Sequence, residues 1–257
     1  MNPKLIKKGQ TALITGAGSG LGFAFAKILS EIGLNLILVS KNSAKLNHVQ
    51  KELENYHNGI IIFPCDFSDE NDVKKLVEYI QAQNIEIDFL INNAGVGIYK
   101  EFTSINEIEI NKMISINLLA PTLLTRYILE KMSNNNSGII LNISSTMALR
   151  PSPKWSVYAA EKSYLSLLSR SLYYENKNKN ILISVLYAGK INTDFDRNAG
   201  FQSHKTGKNP DAIVRYTLKK LNKYHSIIIP GAKAKIIYFC FKMLPDFITK
   251  RFLRYLT

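Results

Sequence analysis

A tyrosine and a lysine four residues apart form the pair in this sequence best suited to acid–base chemistry. Tyr158 and Lys162 lie in a segment with helical periodicity, so we expect their side chains on one helix face. The pKa of a free tyrosine is about 10, and a neighbouring ammonium lowers it by favouring the phenolate. The pair can therefore act as a general acid or base. Because such a spacing also arises by chance in a chain with 13 tyrosines, further residues must support it.

Two serines precede this pair along the chain. Ser144 and Ser145 stand at the end of an apolar run that is predicted to be a strand. A hydroxyl there can steady a substrate carbonyl oxygen, although serine at a strand end is also a common turn former. Both serines are candidates for that role.

The N-terminal glycines predict a phosphate-binding turn. Apolar residues 12–14 precede the glycine-rich segment 15–22, and a helical pattern follows it. Backbone N–H groups of such a turn approach a pyrophosphate closely, and the helix N-terminus favours negative charge. We assign this contact to Gly16, Ser19, Gly20, Leu21 and Gly22. The spacing Gly-x-x-x-Gly-x-Gly differs from the Gly-x-Gly-x-x-Gly fingerprint, and a flexible turn is the alternative.

The end of the second predicted strand favours NADP over NAD. NAD sites place a carboxylate about twenty residues after the glycines for the ribose 2′-hydroxyl, whereas NADP sites use a cation for the 2′-phosphate. No acidic residue occurs between Glu31 and Glu52, and Ser40, Lys41 and Asn42 can all donate hydrogen bonds. Lys41 is therefore the predicted 2′-phosphate ligand, with a solvated loop lysine as the alternative.

Two further strand ends carry polar residues. Asp66, followed by Phe67, comes after the third strand, where its carboxylate can accept from an adenine amine or cap the next helix. The fourth strand ends in the segment 92–95, whose asparagines can hold strand ends together and whose glycine can leave space for a ribose. A plain turn is the alternative there. The predicted cofactor contacts in this segment are Asn93, Ala94 and Gly95.

Hydrophobic periodicity predicts seven strands that alternate with helices. The strands are expected at 11–15, 35–40, 60–63, 89–92, 138–143, 181–186 and 227–229, and the helices at 21–32, 43–56, 70–83, 105–132, 157–175 and 210–221. Asn209 and Pro210 are predicted to start the last helix as N-cap and first residue. The alternation predicts an α/β fold with one Rossmann-type, doubly wound parallel sheet and helices on both faces. Ligands of such a sheet bind at the carboxyl ends of its strands.

Composition limits the class of protein. The chain has 257 residues, of which 46% are hydrophobic and 21% charged, which predicts a globular protein without a dividing linker. Two distant cysteines and the lack of metal-ligand spacing argue against a disulfide framework or a metal site. Without a secretory signal or a bilayer-length apolar run, a cytoplasmic protein is expected. The net charge of +13 comes without an aromatic stacking array, so nucleic acid is not an expected partner.

Residues 232–257 are predicted to form a basic amphipathic extension to a catalytic domain at residues 1–231. Six basic residues and one acid give this tail a charge of +5. Ile248, Phe252, Tyr255 and Leu256 would share one helix face. That pattern suits a helix lying on an anionic membrane, and it suits equally a helix docked on protein.

The sequence resembles the short-chain dehydrogenase/reductase family over nearly its whole length. The resemblance rests on the order and spacing of the segments 15–22 and 92–95 with Asp66, Asn117, Ser145, Tyr158 and Lys162. It implies hydride transfer between a nicotinamide cofactor and a carbonyl or alcohol carbon. In this role Tyr158 donates a proton, Lys162 lowers the pKa of Tyr158 and binds the ribose, and Ser145 bonds to the substrate oxygen. Asn117 would kink its helix and hold a water on a proton relay. Family members are commonly homodimers or homotetramers.

The sequence departs from this family in two places. Ala188 stands where a proline is usual, although Gly189, Ile191 and Thr193 follow and are assigned to the cofactor carboxamide. Glu161 stands where a small serine is usual. It either tunes the adjacent lysine or faces solvent, and we expect the second.

The segment 194–209 occupies the position of the family's substrate lid. Phe195, Phe201 and several basic residues predict an apolar pocket with a cationic rim. The resemblance thus implies an NADP(H)-dependent reductase of a fairly apolar substrate, of the ketoacyl, steroid-like or lipid-ketone type. The alternative is a Rossmann-type domain that binds a cofactor or partner without catalysis, which the full set of four site residues disfavours.

Overall fold

The computed structural model describes residues 5–56, 59–202 and 207–243, except the side chains at 233, 242 and 243. The strands are β1 (Thr11–Thr15), β2 (Asn35–Ser40), β3 (Ile60–Pro64), β4 (Phe89–Asn92), β5 (Gly138–Ser145), β6 (Ile181–Ala188) and β7 (Ile227–Ile228). The α-helices are α1 (Gly20–Ile32), α2 (Ser43–Leu53), α3 (Glu70–Ala82), α4 (Glu107–Ile114), α5 (Ala120–Asn135), α6 (Ser156–Glu175), α7 (Phe195–Asn198), α8 (Pro210–Leu221) and α9 (Ala232–Met243).

The strands form one parallel sheet in the order β3-β2-β1-β4-β5-β6-β7. The order reverses at β1, whose neighbours are β2 and β4. At such a switch point the connections leave toward opposite faces and open a crevice at the carboxyl ends of the strands. The glycine turn follows β1 and the segment 92–95 follows β4, so both border this crevice.

Buried apolar side chains cover both faces of the sheet. On one face Ile14, Leu38 and Leu141 belong to a cluster with residues of α1, α2 and α8. On the other face Leu13 and Leu90 belong to a cluster with residues of α3 and α5. Side chains alternate between the faces because successive residues of a strand point in opposite directions. The predicted Rossmann-type fold with helices on both faces is therefore confirmed.

The helix predicted at 105–132 is interrupted. After α4, Ser115–Leu119 form a π-helical turn, and α5 continues from Ala120. Single π turns inside helices are frequent at functional sites, and Asn117 lies in this one. The bounds of the other predicted elements differ by at most three residues, and Asn209 caps α8 with Pro210 at its start.

The last helix of the described residues, α9, starts at Ala232. Within α9, Tyr238 packs against Tyr187 of β6 with ring centroids 5.6 Å apart. The apolar face predicted from Ile248, Phe252, Tyr255 and Leu256 lies outside the described residues. In the part of the chain that is described, no helix combines the length and apolar character that crossing a bilayer requires.

Candidate active site

The glycine turn after β1 is packed too closely for side chains. A Cβ on Gly22 would lie 2.2 Å from the carbonyl oxygen of Gly16, and one on Gly16 would lie 2.9 Å from Cα of Ala94. Ser19, the N-cap of α1, makes no capping hydrogen bond with its side chain. The first N–H groups of α1 therefore keep their capacity to bind an anion. Leu21 is buried in the core, so only its backbone is available to a ligand.

Hydrogen bonds fasten this turn to the end of β4. The Thr15 hydroxyl accepts from the backbone N–H groups of Asn93 and Ala94 at 2.9 and 3.0 Å. The Asn93 amide donates to the Thr15 carbonyl at 2.9 Å and to the Gly16 carbonyl at 3.2 Å. The asparagine thus joins two strand ends, which is one of the two roles that the sequence left open.

The end of β2 carries an ion pair rather than a free cation. The Lys41 ammonium donates to the Asp66 carboxylate at 2.5 Å. Burial acts to raise the pKa of Asp66, but hydrogen bonds from Lys41 and Ser68 outweigh it and hold this pKa at about 2. The side chain of Phe67 is buried in the core beside α3, which leaves its backbone to face a ligand.

Gly18 lies directly against the end of β2. A Cβ on Gly18 would lie 3.2 Å from both the Ser40 hydroxyl oxygen and Cβ of Lys45. Asn42 is the N-cap of α2, because its side chain accepts from the N–H of Lys45 at 2.9 Å. The Ser40 hydroxyl and the base of the Lys45 side chain, in the first turn of α2, therefore lie beside Gly18, and Lys45 joins the predicted residues there.

The two serines at the end of β5 have different partners. The Ser144 hydroxyl donates to the carbonyl oxygen of Lys162 at 2.8 Å, which ties β5 to α6. The Ser145 hydroxyl accepts from the N–H of Met147 at 3.1 Å, and it acts to lower the pKa of Tyr158. Ser145 is therefore the serine whose side chain acts on the tyrosine, and its role toward a substrate oxygen stays a prediction from the family resemblance.

Tyr158 is buried, and its pKa is shifted in the direction opposite to the one predicted from the sequence. Burial raises the pKa of its phenol well above the usual value, and the hydrogen bond with Ser145 opposes this only in part. The expected lowering by Lys162 is not seen, because the ammonium donates to the Ile143 carbonyl at 3.0 Å and lies 5.7 Å from the centre of the tyrosine ring. Tyr158 is consequently protonated at neutral pH, which is the form that donates a proton.

Lys162 and Asn117 converge on the backbone of Gly95. A Cβ at this glycine would lie 3.4 Å from the lysine Nζ and 3.2 Å from the asparagine Oδ1. Burial lowers the pKa of Lys162 to about 8, and the charge of Glu161 opposes this shift. The glycine thus leaves the space beside the ammonium free of any side chain.

Glu161 does not face solvent, and that expectation was wrong. Its exposed fraction is 3%, and its Oε2 accepts a hydrogen bond of 2.7 Å from the amide of Asn117. Burial raises the pKa of Glu161 to about 7, while Asn117 and Lys162 act to lower it. The residue faces inward because α6 packs against both the sheet and the π-helical turn.

The loop after β6 reaches the glycine turn. Cγ2 of Thr193 lies 3.0 Å from the position of a Cβ on Gly20. Ala188 pairs with Ser145 as the last residue of β6, and Gly189 is open on its Cβ side. Ile191 forms a parallel bridge with Lys208. Residues from both ends of the crevice, distant in sequence, are therefore neighbours.

Aromatic side chains pack around Tyr158. Trp155 and Phe195 have ring centroids 5.5 and 5.3 Å from that of Tyr158. Tyr99 and Phe201 complete the cluster, each within 6 Å of Trp155. The predicted apolar lid residues thus cover the tyrosine, and Trp155 and Tyr99 were missed because apolar residues outside the lid carry no distinguishing pattern.

Comparison with known proteins identifies relatives. A family model described as short chain dehydrogenase matches residues 10–203. The 17-beta-hydroxysteroid dehydrogenase type 3 of Mus musculus is 33% identical over 82% of this chain and 68% of its own length. A very-long-chain 3-oxoacyl-CoA reductase-like protein of Arabidopsis thaliana is 40% identical over 69% of this chain and 58% of its own length.

Solved structures agree with these relatives. A short-chain dehydrogenase from Sphingobium yanoikuyae in complex with NADPH has a TM-score of 0.83 and 25% identity, over 88% of this chain and 90% of that one. Other similar structures are complexes with NAD or with NADP.

Proposed function

This chain belongs to the short-chain dehydrogenase/reductase family of oxidoreductases, and on that premise we propose that it is an NADP(H)-dependent reductase of apolar ketones. The observation that carries the proposal is the buried Tyr158, which interacts with Ser145 and is covered by an aromatic cluster. A domain that only bound nucleotide would not need Asn117, Ser145, Tyr158 and Lys162 together.

The crevice fits a dinucleotide, since its glycines leave room for backbone contact and its helix N-terminus is open to an anion. When bound, the nicotinamide cofactor supplies or accepts a hydride. Tyr158 would hold the proton that the substrate oxygen takes up, and Ser145 would orient that oxygen. Lys162 would bind ribose hydroxyls in the space beside Gly95. Gly189, Ile191 and Thr193 remain the proposed contacts of the carboxamide.

The choice of NADP(H) rests on the charges around Gly18. Ser40, Lys41 and Lys45 offer a hydroxyl and two cations, and no acidic residue occurs in the sequence between Glu31 and Glu52. Lys41 would have to exchange Asp66 for the 2′-phosphate. This exchange is inexpensive, because exposed ion pairs contribute little and a phosphate accepts stronger, charge-assisted hydrogen bonds. The freed Asp66 oxygen could then accept from the adenine amine.

The substrate class follows from the aromatic cluster. Tyr99, Trp155, Phe195 and Phe201 present ring faces and edges, so a flat, apolar carbonyl compound fits better than a charged one. The named relatives are a hydroxysteroid dehydrogenase and a 3-oxoacyl-CoA reductase-like protein, and both names point to ketones on large apolar bodies. We therefore propose ketoacyl or steroid-like ketones.

A panel of ketones tests this function. Steroid, 3-oxoacyl and small polar ketones would be incubated with NADPH or NADH, and the loss of reduced cofactor followed by absorbance. We expect turnover of the apolar ketones with NADPH, and a fall in kcat of about 10²- to 10⁴-fold in Tyr158→Phe. If Tyr158→Phe retained the parent rate, or if cofactor bound and no ketone were reduced, the binding-only alternative would replace this proposal.

The tail and the exposed helices suggest how the protein is held in the cell. We propose a cytoplasmic homo-oligomer that pairs through α5 and α6, which expose Tyr127, Tyr164 and Leu167.

We also propose weak attachment of the basic tail to anionic membranes. The test removes residues 244–257 alone, because Tyr238 in α9 packs on the sheet. Co-sedimentation with anionic vesicles should be lost, and unchanged binding would exclude the tail. The oligomer is tested by measuring the molar mass of Leu167→Glu by light scattering. The variant should have a lower molar mass than the parent, and an unchanged mass would exclude this interface.

A further inference from the structure

Glu161 lies between the two predicted catalytic residues of α6 and has no place in the mechanism so far. Its side chain is 3% exposed, and its Oε2 accepts from the Asn117 amide at 2.7 Å. Its Oε1 is buried without a hydrogen-bond partner. A buried carboxylate with one unpaired oxygen is costly, so a residue with a purely structural role would be served better by a neutral side chain.

The hydrogen bond to Glu161 is the third one that the Asn117 side-chain amide makes. Its nitrogen also donates to the Val96 carbonyl at 2.8 Å, and its oxygen accepts from the Val96 N–H at 2.9 Å. The reverse orientation of the amide would set its oxygen against the carboxylate and against the Val96 carbonyl. Glu161 therefore acts together with the two backbone bonds of Val96 to hold the Asn117 amide in one orientation within the π-helical turn.

The same carboxylate acts on the neighbouring charges. In the described part of the chain, Lys162 is the charged group that acts on Glu161, and each favours the ionised form of the other. Glu161 also acts on Tyr158, as does Asp196 from α7. Because burial lowers the pKa of Lys162 to about 8, the opposing carboxylate helps the lysine to stay charged at neutral pH.

We propose that Glu161 is a positioning residue of this active site, which orients the Asn117 amide and keeps the Lys162 ammonium charged. The proposal rests on the reductase function argued above. Its consequence is a pH dependence that an enzyme with the serine usual at this position would not have.

The experiment compares Glu161→Gln and Glu161→Ser with the parent. Glutamine keeps the size and the acceptor oxygen, so Asn117 stays oriented while the charge is lost. In Glu161→Gln we expect the alkaline limb of kcat to move down by about one pH unit, the effect of a unit charge within roughly 10 Å at an effective dielectric constant of about 20. Glu161→Ser should also lower kcat at all pH values, because the Asn117 amide then keeps only its two hydrogen bonds to Val96. The control is Glu175→Gln, at the exposed end of α6.

A second measurement does not depend on turnover. The titration of the Lys162 side chain, followed by NMR of ¹³C-labelled lysine and assigned with Lys162→Arg, should move to lower pH in Glu161→Gln. If both the titration and the rate profile of Glu161→Gln matched the parent, the proposal would be overturned. If the titration moved but the parent reduced no ketone, the influence on Lys162 would stand and the proposed reductase function would fail.

Discussion

Replacing Glu161 by glutamine should stabilise the protein, and increasingly so as the pH rises. The pKa of this carboxyl is about 7 in the folded chain against an ordinary 4.5. A raised folded-state pKa contributes stability that is present in full below pH 4.5 and is lost as the pH rises to about 7. Glutamine does not ionise and carries no such loss.

The size of the effect follows from the same values. At about 1.36 kcal/mol per pKa unit, the gap between 4.5 and about 7 corresponds to at most about 3 kcal/mol. The value of about 7 already includes the attraction of Lys162 and the bond from Asn117. Partial relaxation and water entry reduce the gain, so we expect Glu161→Gln to be about 1–2 kcal/mol more stable at pH 8 than the parent. Near pH 5 the difference should fall below about 1 kcal/mol.

Urea unfolding at both pH values, at one fixed protein concentration, measures this difference. Exposed Glu175→Gln serves as the control and should show no change with pH. If Glu161→Gln had the same stability relative to the parent at both pH values, the carboxylate would not be buried as described. A more stable and less active variant would instead indicate that the carboxylate is retained for function at a cost in stability.

Three further predictions concern the predicted ligands. Lys41→Asp should raise the Kd of NADPH by about tenfold or more and lower the Kd of NADH, because a carboxylate would then face the ribose 2′ position. Fluorescence titration measures both constants. An unchanged ratio of the two Kd values would remove Lys41 from the site. Ser145→Ala should lower kcat by about tenfold or more with a small change in stability. Ser144→Ala should instead lose about 1 kcal/mol of stability and keep kcat. The reverse result would exchange the roles of the two serines. Gly22→Ala should weaken binding of both cofactors, since the new Cβ would lie 2.2 Å from the Gly16 carbonyl oxygen. Isothermal titration calorimetry with NADPH and NADH measures this binding. Binding as tight as that of the parent would contradict the close packing of the turn.

Local patterns in the sequence predicted most of the fold, and they assigned residues to a site whose roles stay predictions. Strand and helix periodicities reflect which residues face a neighbouring layer, and a parallel sheet buries its strands so fully that their apolar runs stand out. The glycine turn and the strand ends could be assigned to one crevice because alternating strands and helices bring carboxyl ends to the same edge of a sheet. The preference for Ser145 over Ser144 came from the family resemblance, through its spacing to Tyr158, and it stays a prediction.

Tertiary structure decided the charge environment of the site. Neighbouring residues of a helix point about 100° apart, so the sequence places Glu161 and Lys162 on different sides of α6. It does not show that other elements of the fold bury both of these sides. The ion pair of Lys41 with Asp66 needed the pairing of β2 with β3. The pKa of Tyr158 was predicted in the wrong direction for the same reason: a nearby charge can be inferred from spacing, but the loss of solvent that outweighs it depends on every element packed around the phenol.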